Sequence, residues 1–243
     1  MPSRRKFDLI LFQGQKSLDK MVRRGIAREG HAVAIGYPKF DSSRLFRSDA
    51  RAIFPDDRPI VLYNPHKVPK LGSWQRFIEP MLQEFEQQDE FNLIVAPHVK
   101  LMLRRRESVR QAWRDRSTAH IVIDPGSDRS VDNSYTEAAD IYVGDVSSQV
   151  YEFLARPRPC VFLNTSGVKW RGDPDYLFWH FGDVVDHPHQ LMEAIRAAPS
   201  RHHLYVEKQR LWAKRSLGDT REGASDRAAD AILDYLDRGK TAN

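Results

Sequence analysis

The chain has 243 residues, 41% hydrophobic and 10% aromatic, a composition that can bury one large core or two small ones and excludes a disordered chain. No run approaches the roughly 18 apolar residues a membrane span needs, and Met1 to Lys6 has no apolar segment behind its charges, so a cytoplasmic location is expected. The formal charge of +5 favours anionic partners, and the single Cys160, inside an apolar run, excludes an internal disulfide and reads as a buried filler.

In chain order, Asp8 to Phe12 predicts a strand, Ser17 to Arg24 a helix and Ala32 to Ile35 a second strand. This partial βαβ unit, residues 1–40, looks like the end of a first Rossmann-like domain. Residues 41–58 are polar and weakly periodic, which suits a linker. From 59 to 243 a second domain is expected: strand 60–64, helix 73–87, strand 92–96, helix 99–114, strand 120–123, helix 134–138, strand 140–144, helix 147–155 and strand 160–163. Alternating strands and helices imply an α/β fold, a Rossmann-like parallel sheet with helices on both faces and ligands at the carboxyl ends of its strands. Residues 164–181 read as a long loop rich in Trp, Asp, Arg and His, and helices follow over 188–198, 201–216 and 221–237.

Candidate site residues fall at those strand ends. Asn64, His66 and Lys67 follow the first strand of the second domain, His98 the next, and Asp124 the third; the Asp-Pro-Gly run at 124–126 is also explained by turn chemistry alone. A strand-end histidine such as His98 can donate a hydrogen bond to phosphate or simply cap the backbone. Gly144, Asp145, Ser147 and Ser148 form a turn that opens a helix, where free N–H groups and two hydroxyls suit a phosphate or diphosphate, although serine is favoured at N-caps whatever the function. Asp145 could orient a loop or, as a general base, accept from an acceptor hydroxyl. Glu152, four residues beyond Ser148, lies on the same helix face and can reach a ribose diol. His187/His189 and His202/His203 lack zinc-ligand spacing, so no metal is expected. Arg104, Arg105 and Arg106, with Arg110, Arg114 and Arg116, make a basic helix face. It reads as solvated surface or as a patch for an acceptor or the inner face of a membrane. No aromatic platform accompanies it, so no nucleic acid is expected.

The run Ala139-Asp140-Ile141-Tyr142-Val143-Gly144-Asp145-Val146-Ser147-Ser148, then a helix and a Pro-Cys-Val-Phe-Leu strand, resembles the Asp-Tyr-Ser-Ser signature of the CDP-glycerol glycerophosphotransferase family. Gly36 to Asp41, Pro59 to Lys67, Ile94 to His98 and Gly223 to Ile232 resemble further segments of that family in order. The resemblance implies the C-terminal, donor-binding half of a GT-B fold and a transferase building teichoic-acid-like or capsular polymers. It implies Asn64, His66, Lys67, His98, Asp124, Gly144, Ser147, Ser148, Glu152 and Arg171 around a CDP-glycerol or UDP-sugar donor, His98 and Asp145 in catalysis, a polymer or lipid-linked acceptor, and no cofactor. UDP-N-acetylglucosamine 2-epimerases share the architecture, which leaves an epimerase-like activity open. The sequence departs from the family at Val146, usually Tyr, and at His66-Lys67. The family's Trp-His-Gly histidine has no counterpart here. A donor-binding module without chemistry of its own is therefore the second alternative, with a partner chain or a dimer mate supplying the missing base.

Overall fold

The computed structural model describes residues 7–28, 30–221 and 223–241, side chains of 238–241 excepted; the basic Met1 to Lys6 lies outside them. The chain divides into two compact units, one running to Phe46 and resuming at Arg210, the other Arg47–Gln209.

The first unit is built on one parallel pair, β1 (Ile10–Phe12) and β2 (Ala32–Ala34), with α1 (Gln15–Arg23) between them. The expected linker starts with a helix, α2 (Lys39–Phe46). The segments Gly36 to Asp41 and Gly223 to Ile232, far apart in sequence, dock on each other. The Ser225 N–H donates to the Asp41 carboxylate at 2.7 Å, and the Arg227 guanidinium donates to the Ile35 carbonyl at 2.8 Å. Gly36 adopts φ +91° there, and an added Cβ would meet the Arg227 side chain at 2.7 Å.

The second unit holds six parallel strands: β3 (Ile60–Asn64), β4 (Asn92–Val95), β5 (Ile121–Ile123), β6 (Ile141–Gly144), β7 (Cys160–Leu163) and β8 (Asp183–Val185). Their order is β5-β4-β3-β6-β7-β8, so the order reverses between β3 and β6, where Asn64 pairs with Gly144. The four strands β3, β4, β6 and β7 are buried throughout, as expected where helices cover both faces of a parallel sheet. On one face α3 (Trp74–Glu86) buries Phe77, Ile78, Met81, Leu82 and Phe85, the i, i+4, i+8 stripe of an amphipathic helix. Phe77, Met81, Phe85, Val95, Val143 and Ile195 join one core cluster.

Four expectations change. The helix expected over 99–114 is two, α4 (Val99–Met102) and α5 (Glu107–Arg114), because three adjacent arginines between them have no apolar face to bury and Arg106 turns extended. The helix over 134–138 forms as expected, α6 (Ser134–Ala138), but the one expected over 147–155 shrinks to α7 (Val150–Phe153), preceded by i→i−3 turns at Ser147 and Ser148. The loop 164–181 contains a 3₁₀ segment, Pro174–Phe181, and leads into β8, which is too short and too acidic at its start to be read from pattern. The final helices are α8 (Leu191–Arg201), α9 (Val206–Leu217) and α10 (Ala224–Thr241), and from Arg210 the chain belongs to the first unit rather than to the sheet domain. Among the described residues no helix is long and apolar enough to cross a membrane.

Arg158, 8% exposed, ties the helices between these strands together. Its guanidinium donates to the carbonyls of Glu137, Ala139 and Phe153 and lies 3.8 Å over the Phe153 ring. Arg158→Ala removes the guanidinium donor from the Ala139 and Phe153 carbonyls, while Arg156 still serves Glu137, and is expected to lower the unfolding free energy by about 2–3 kcal/mol. Urea denaturation checks this, with near-native circular dichroism expected.

Candidate active site

The carboxyl ends of β3, β4 and β6 meet at the strand-order reversal, the position where open parallel sheets bind ligands. Asn64 closes β3, and its side-chain amide donates to the Ala96 carbonyl at 2.6 Å. The His98 N–H donates to the Pro65 carbonyl at 3.0 Å. These bonds bring the His66 and His98 rings together, edge to face, with centroids 6.1 Å apart.

Each of those imidazoles has one nitrogen already engaged. His66 Nδ1 accepts from the Val68 N–H, and His98 Nδ1 accepts from the Lys100 N–H, both at 3.2 Å. A neutral ring that accepts at Nδ1 carries its proton on Nε2, so both rings offer an Nε2–H donor. Burial lowers the pKa of His66, with His98 and Lys67 adding to it. Burial likewise lowers that of His98, aided by Lys67 and Lys100. Both rings stay neutral over more of the pH range than a free histidine.

Asp145 lies at the end of β6, 1% exposed, and its carboxylate is spent on the loop after β3. It accepts from the His66 N–H at 2.9 Å, the Ser73 N–H at 2.6 Å and the Ser73 hydroxyl at 2.8 Å. The Tyr63 hydroxyl lies 2.8 Å from the same Ser73 oxygen, and Trp179 Nε1 donates to the Asp145 carbonyl at 3.1 Å. Of the two roles read from the sequence, orienting a loop is the one these contacts describe. Ser73 and Trp179 did not enter the sequence reading of the site. Ser73 opens the helix expected over 73–87 and reads as ordinary helix-start chemistry, and Trp179 sits in a loop whose path no pattern reveals.

The remaining candidates are placed as follows. Ser147 is 4% exposed and accepts from the Gln149 N–H at 3.3 Å, while Ser148 is exposed. Gly144 leaves room for the Tyr142 ring, which an added Cβ would meet at 2.6 Å. Glu152 is half-buried on α7, a helix too short for much dipole. Asp124 is engaged in its own turn, accepting from Gly126 and Ser127 N–H groups at 2.8 and 2.7 Å and from the Tyr135 hydroxyl at 2.7 Å. Burial raises its pKa, but these donors outweigh that and hold it below the usual carboxylate range. Arg171 lies over Trp170, 4.5 Å from the ring centre. Lys67 is half-buried beside His66. Among the described residues no group of three or more His, Cys, Asp and Glu side chains is placed to hold a metal ion.

The six-stranded parallel sheet with helices around it is the α/β architecture of a GT-B domain. The chain belongs to the CDP-Glycerol:Poly(glycerophosphate) glycerophosphotransferase family, whose model matches residues 19–234. Among solved structures it is similar to the wall teichoic acid polymerase TagF, with a TM-score of 0.66 and 14% identity over 99% of this chain and 60% of that one. S. aureus MnaA, solved with UDP, matches with a TM-score of 0.62 and 15% identity over 95% of this chain and 61% of that one. A UDP-N-acetylglucosamine 2-epimerase matches with a TM-score of 0.58 and 13% identity over 95% of this chain and 58% of that one. The chain thus spans about 60% of the length of the TagF chain it resembles. No curated protein matches the sequence significantly.

Burial raises the Asp145 carboxyl to about 6, ahead of the opposing donors from Ser73, His66 and Val146. Because folding raises this pKa, the group's contribution to stability is full below the ordinary carboxylate range and is lost as pH rises through about 6. Asp145→Asn does not titrate and turns an amide toward two N–H donors. It is expected to be less stable than the wild type by about 2 kcal/mol at low pH, the cost of a mismatched buried hydrogen bond. The gap narrows as the pH is raised through 6, which denaturant unfolding at a series of pH values measures.

Proposed function

We propose that the chain binds the diphosphate of a nucleotide-activated donor at the ends of β3, β4 and β6, as part of a transferase that builds a phosphodiester-linked polymer. The observation that carries this is the convergence of two neutral imidazoles, each presenting an Nε2–H, at the strand-order reversal of a glycerophosphotransferase-family chain. A diphosphate has the acceptor oxygens to take both donors, and Lys67 adds a cation beside them. CDP-glycerol is the donor the family's description favours, and a TagF crystal soaked with CDPG belongs to the same fold group.

In the proposed transfer an acceptor hydroxyl attacks the glycerol-bearing phosphorus, a new O–P bond forms, the bridging P–O bond breaks, and CMP leaves. The two imidazoles stabilise charge on the phosphate oxygens, as preorganised donors do. Proton abstraction from the acceptor needs a free lone pair, and both Nδ1 atoms are occupied. The base therefore comes from outside the His66–His98 pair, from a further segment or a partner chain. The acceptor is a polymer or lipid-linked hydroxyl. A nucleotide donor implies a cytoplasmic location, and the basic Arg104–Arg106 face suits contact with the inner leaflet of a membrane.

His98→Ala and His66→Ala are each expected to weaken CDP-glycerol binding by roughly tenfold or more, the cost of a lost hydrogen bond to a charged group. Cytidine, which has no phosphate, loses little. Calorimetry with CDP-glycerol, UDP-N-acetylglucosamine and cytidine on folded variants tests this; unchanged diphosphate affinity sinks the assignment, and tighter UDP-sugar binding reassigns the donor.

A further inference from the structure

A second cavity, of about 400 Å³, follows the outer edge of the sheet and is lined by Trp170, Arg171, His180, Asp183, Arg201 and Lys208. It runs from Asp183, at the start of β8, to Asp186 just past its end, so it extends the length of an edge strand toward the face that carries His66 and His98. The 3₁₀ segment that floors it is anchored at the other site, through the hydrogen bond from Trp179 to the Asp145 carbonyl.

The charges in this groove do not cancel. Arg201 is neutralised by Asp183, to which it donates at 2.7 and 2.9 Å, and the Tyr205 hydroxyl takes the same carboxylate at 2.6 Å. Asp186 accepts from the Asn164 amide at 2.7 Å. Asp183 is thus paired, whereas Asp186, held by a neutral amide, keeps its charge. Arg171, His180 and Lys208 remain, and among the described residues none of the three makes an ion pair. His180 packs edge-on against Trp170 at 4.8 Å, and Arg171 lies over the same indole at 4.5 Å. Burial lowers the His180 pKa, and Lys208 and Arg171 lower it further, which places all three groups in one electrostatic neighbourhood. Arg171, Arg201 and Lys208 against Asp183 and Asp186 leave the lining with one net positive charge, which favours an anionic guest.

We propose that this groove binds a phosphodiester chain, with Arg171, His180 and Lys208 holding phosphate oxygens and the buried Trp170 indole supporting Arg171 and His180 from beneath. Arg171, expected at the donor from sequence, lines this groove. The volume exceeds that of one phosphate, and the strand-long shape suits a repeating anion better than a single one. The acceptor role alone rests on the proposed function: as the acceptor track, the groove would lead a growing polymer toward the strand ends where the donor binds.

The test uses soluble oligomers of glycerol linked by phosphodiesters, with inorganic phosphate as the minimal probe and a uronate oligomer as a carboxylate control, titrated calorimetrically into the full chain. Lys208 is exposed, so Lys208→Glu is expected to fold normally. It should weaken oligomer binding by roughly tenfold, as reversal of a charge at a phosphate contact does, while leaving CDP-glycerol affinity intact. His180→Ala should weaken it to a smaller extent. No oligomer binding by the wild type, unchanged binding in both folded variants, or equal binding of the uronate would overturn the proposal. Loss of nucleotide binding by His98→Ala with oligomer binding retained leaves this groove standing; absence of nucleotide binding in the wild type sinks the donor assignment alone.

Discussion

The buried carboxylate of Asp145 is the constraint on which the rest of the site depends. A charge at that depth is unfavourable unless donors surround it, and it gathers three from the segment His66 to Ser73. That grip closes the loop after β3 at both ends, and so decides where His66 stands. The residue's own carbonyl takes the Trp179 indole, which ties the 170–181 segment to the same point. Gly72 lets the loop close, since an added Cβ would meet the His66 carbonyl at 2.5 Å.

The chemistry of the two imidazoles follows from what the backbone asks of them. Val68 and Lys100 N–H groups occupy the Nδ1 lone pairs, burial keeps the rings neutral, and the Nε2–H groups are left over. Neutral donors cost less to bury than cations and do not need a carboxylate to hold them, which leaves them free for an anionic ligand. In the edge groove the cations sit near the surface, Arg171 over the Trp170 indole, and solvent screens their repulsion.

Much of the sheet domain was legible from the residues. Runs such as Ile60 to Asn64 and Cys160 to Leu163 are apolar throughout, bounded by turn residues, and spaced by helices, which is the pattern a parallel sheet buried on both faces requires. Strand ends then located His66, His98, Asp145 and Ser147 without any knowledge of contacts. Where the pattern weakened, the reading failed for a physical reason. β8 has three residues and starts with an aspartate that is neutralised by Arg201 and hydrogen-bonded by Tyr205, partners 18 and 22 residues away. The break between α4 and α5 turns on three adjacent arginines that no helix face can absorb.

Periodicity and turn chemistry by themselves determined the fold class, the parallel sheet and the candidate strand ends, because those depend on interactions within a few residues or on burial averaged over a strand. Only the tertiary structure decided what each polar group does there. Asp124 serves its own turn and the Tyr135 hydroxyl, and Asp145 serves a loop that begins 79 residues earlier in the chain. Arg171 stands on Trp170, in a groove apart from the imidazole pair. A hydrogen-bonding group takes the partner that folding brings within about 3 Å, and that partner is chosen by packing across the whole domain rather than by its neighbours in sequence.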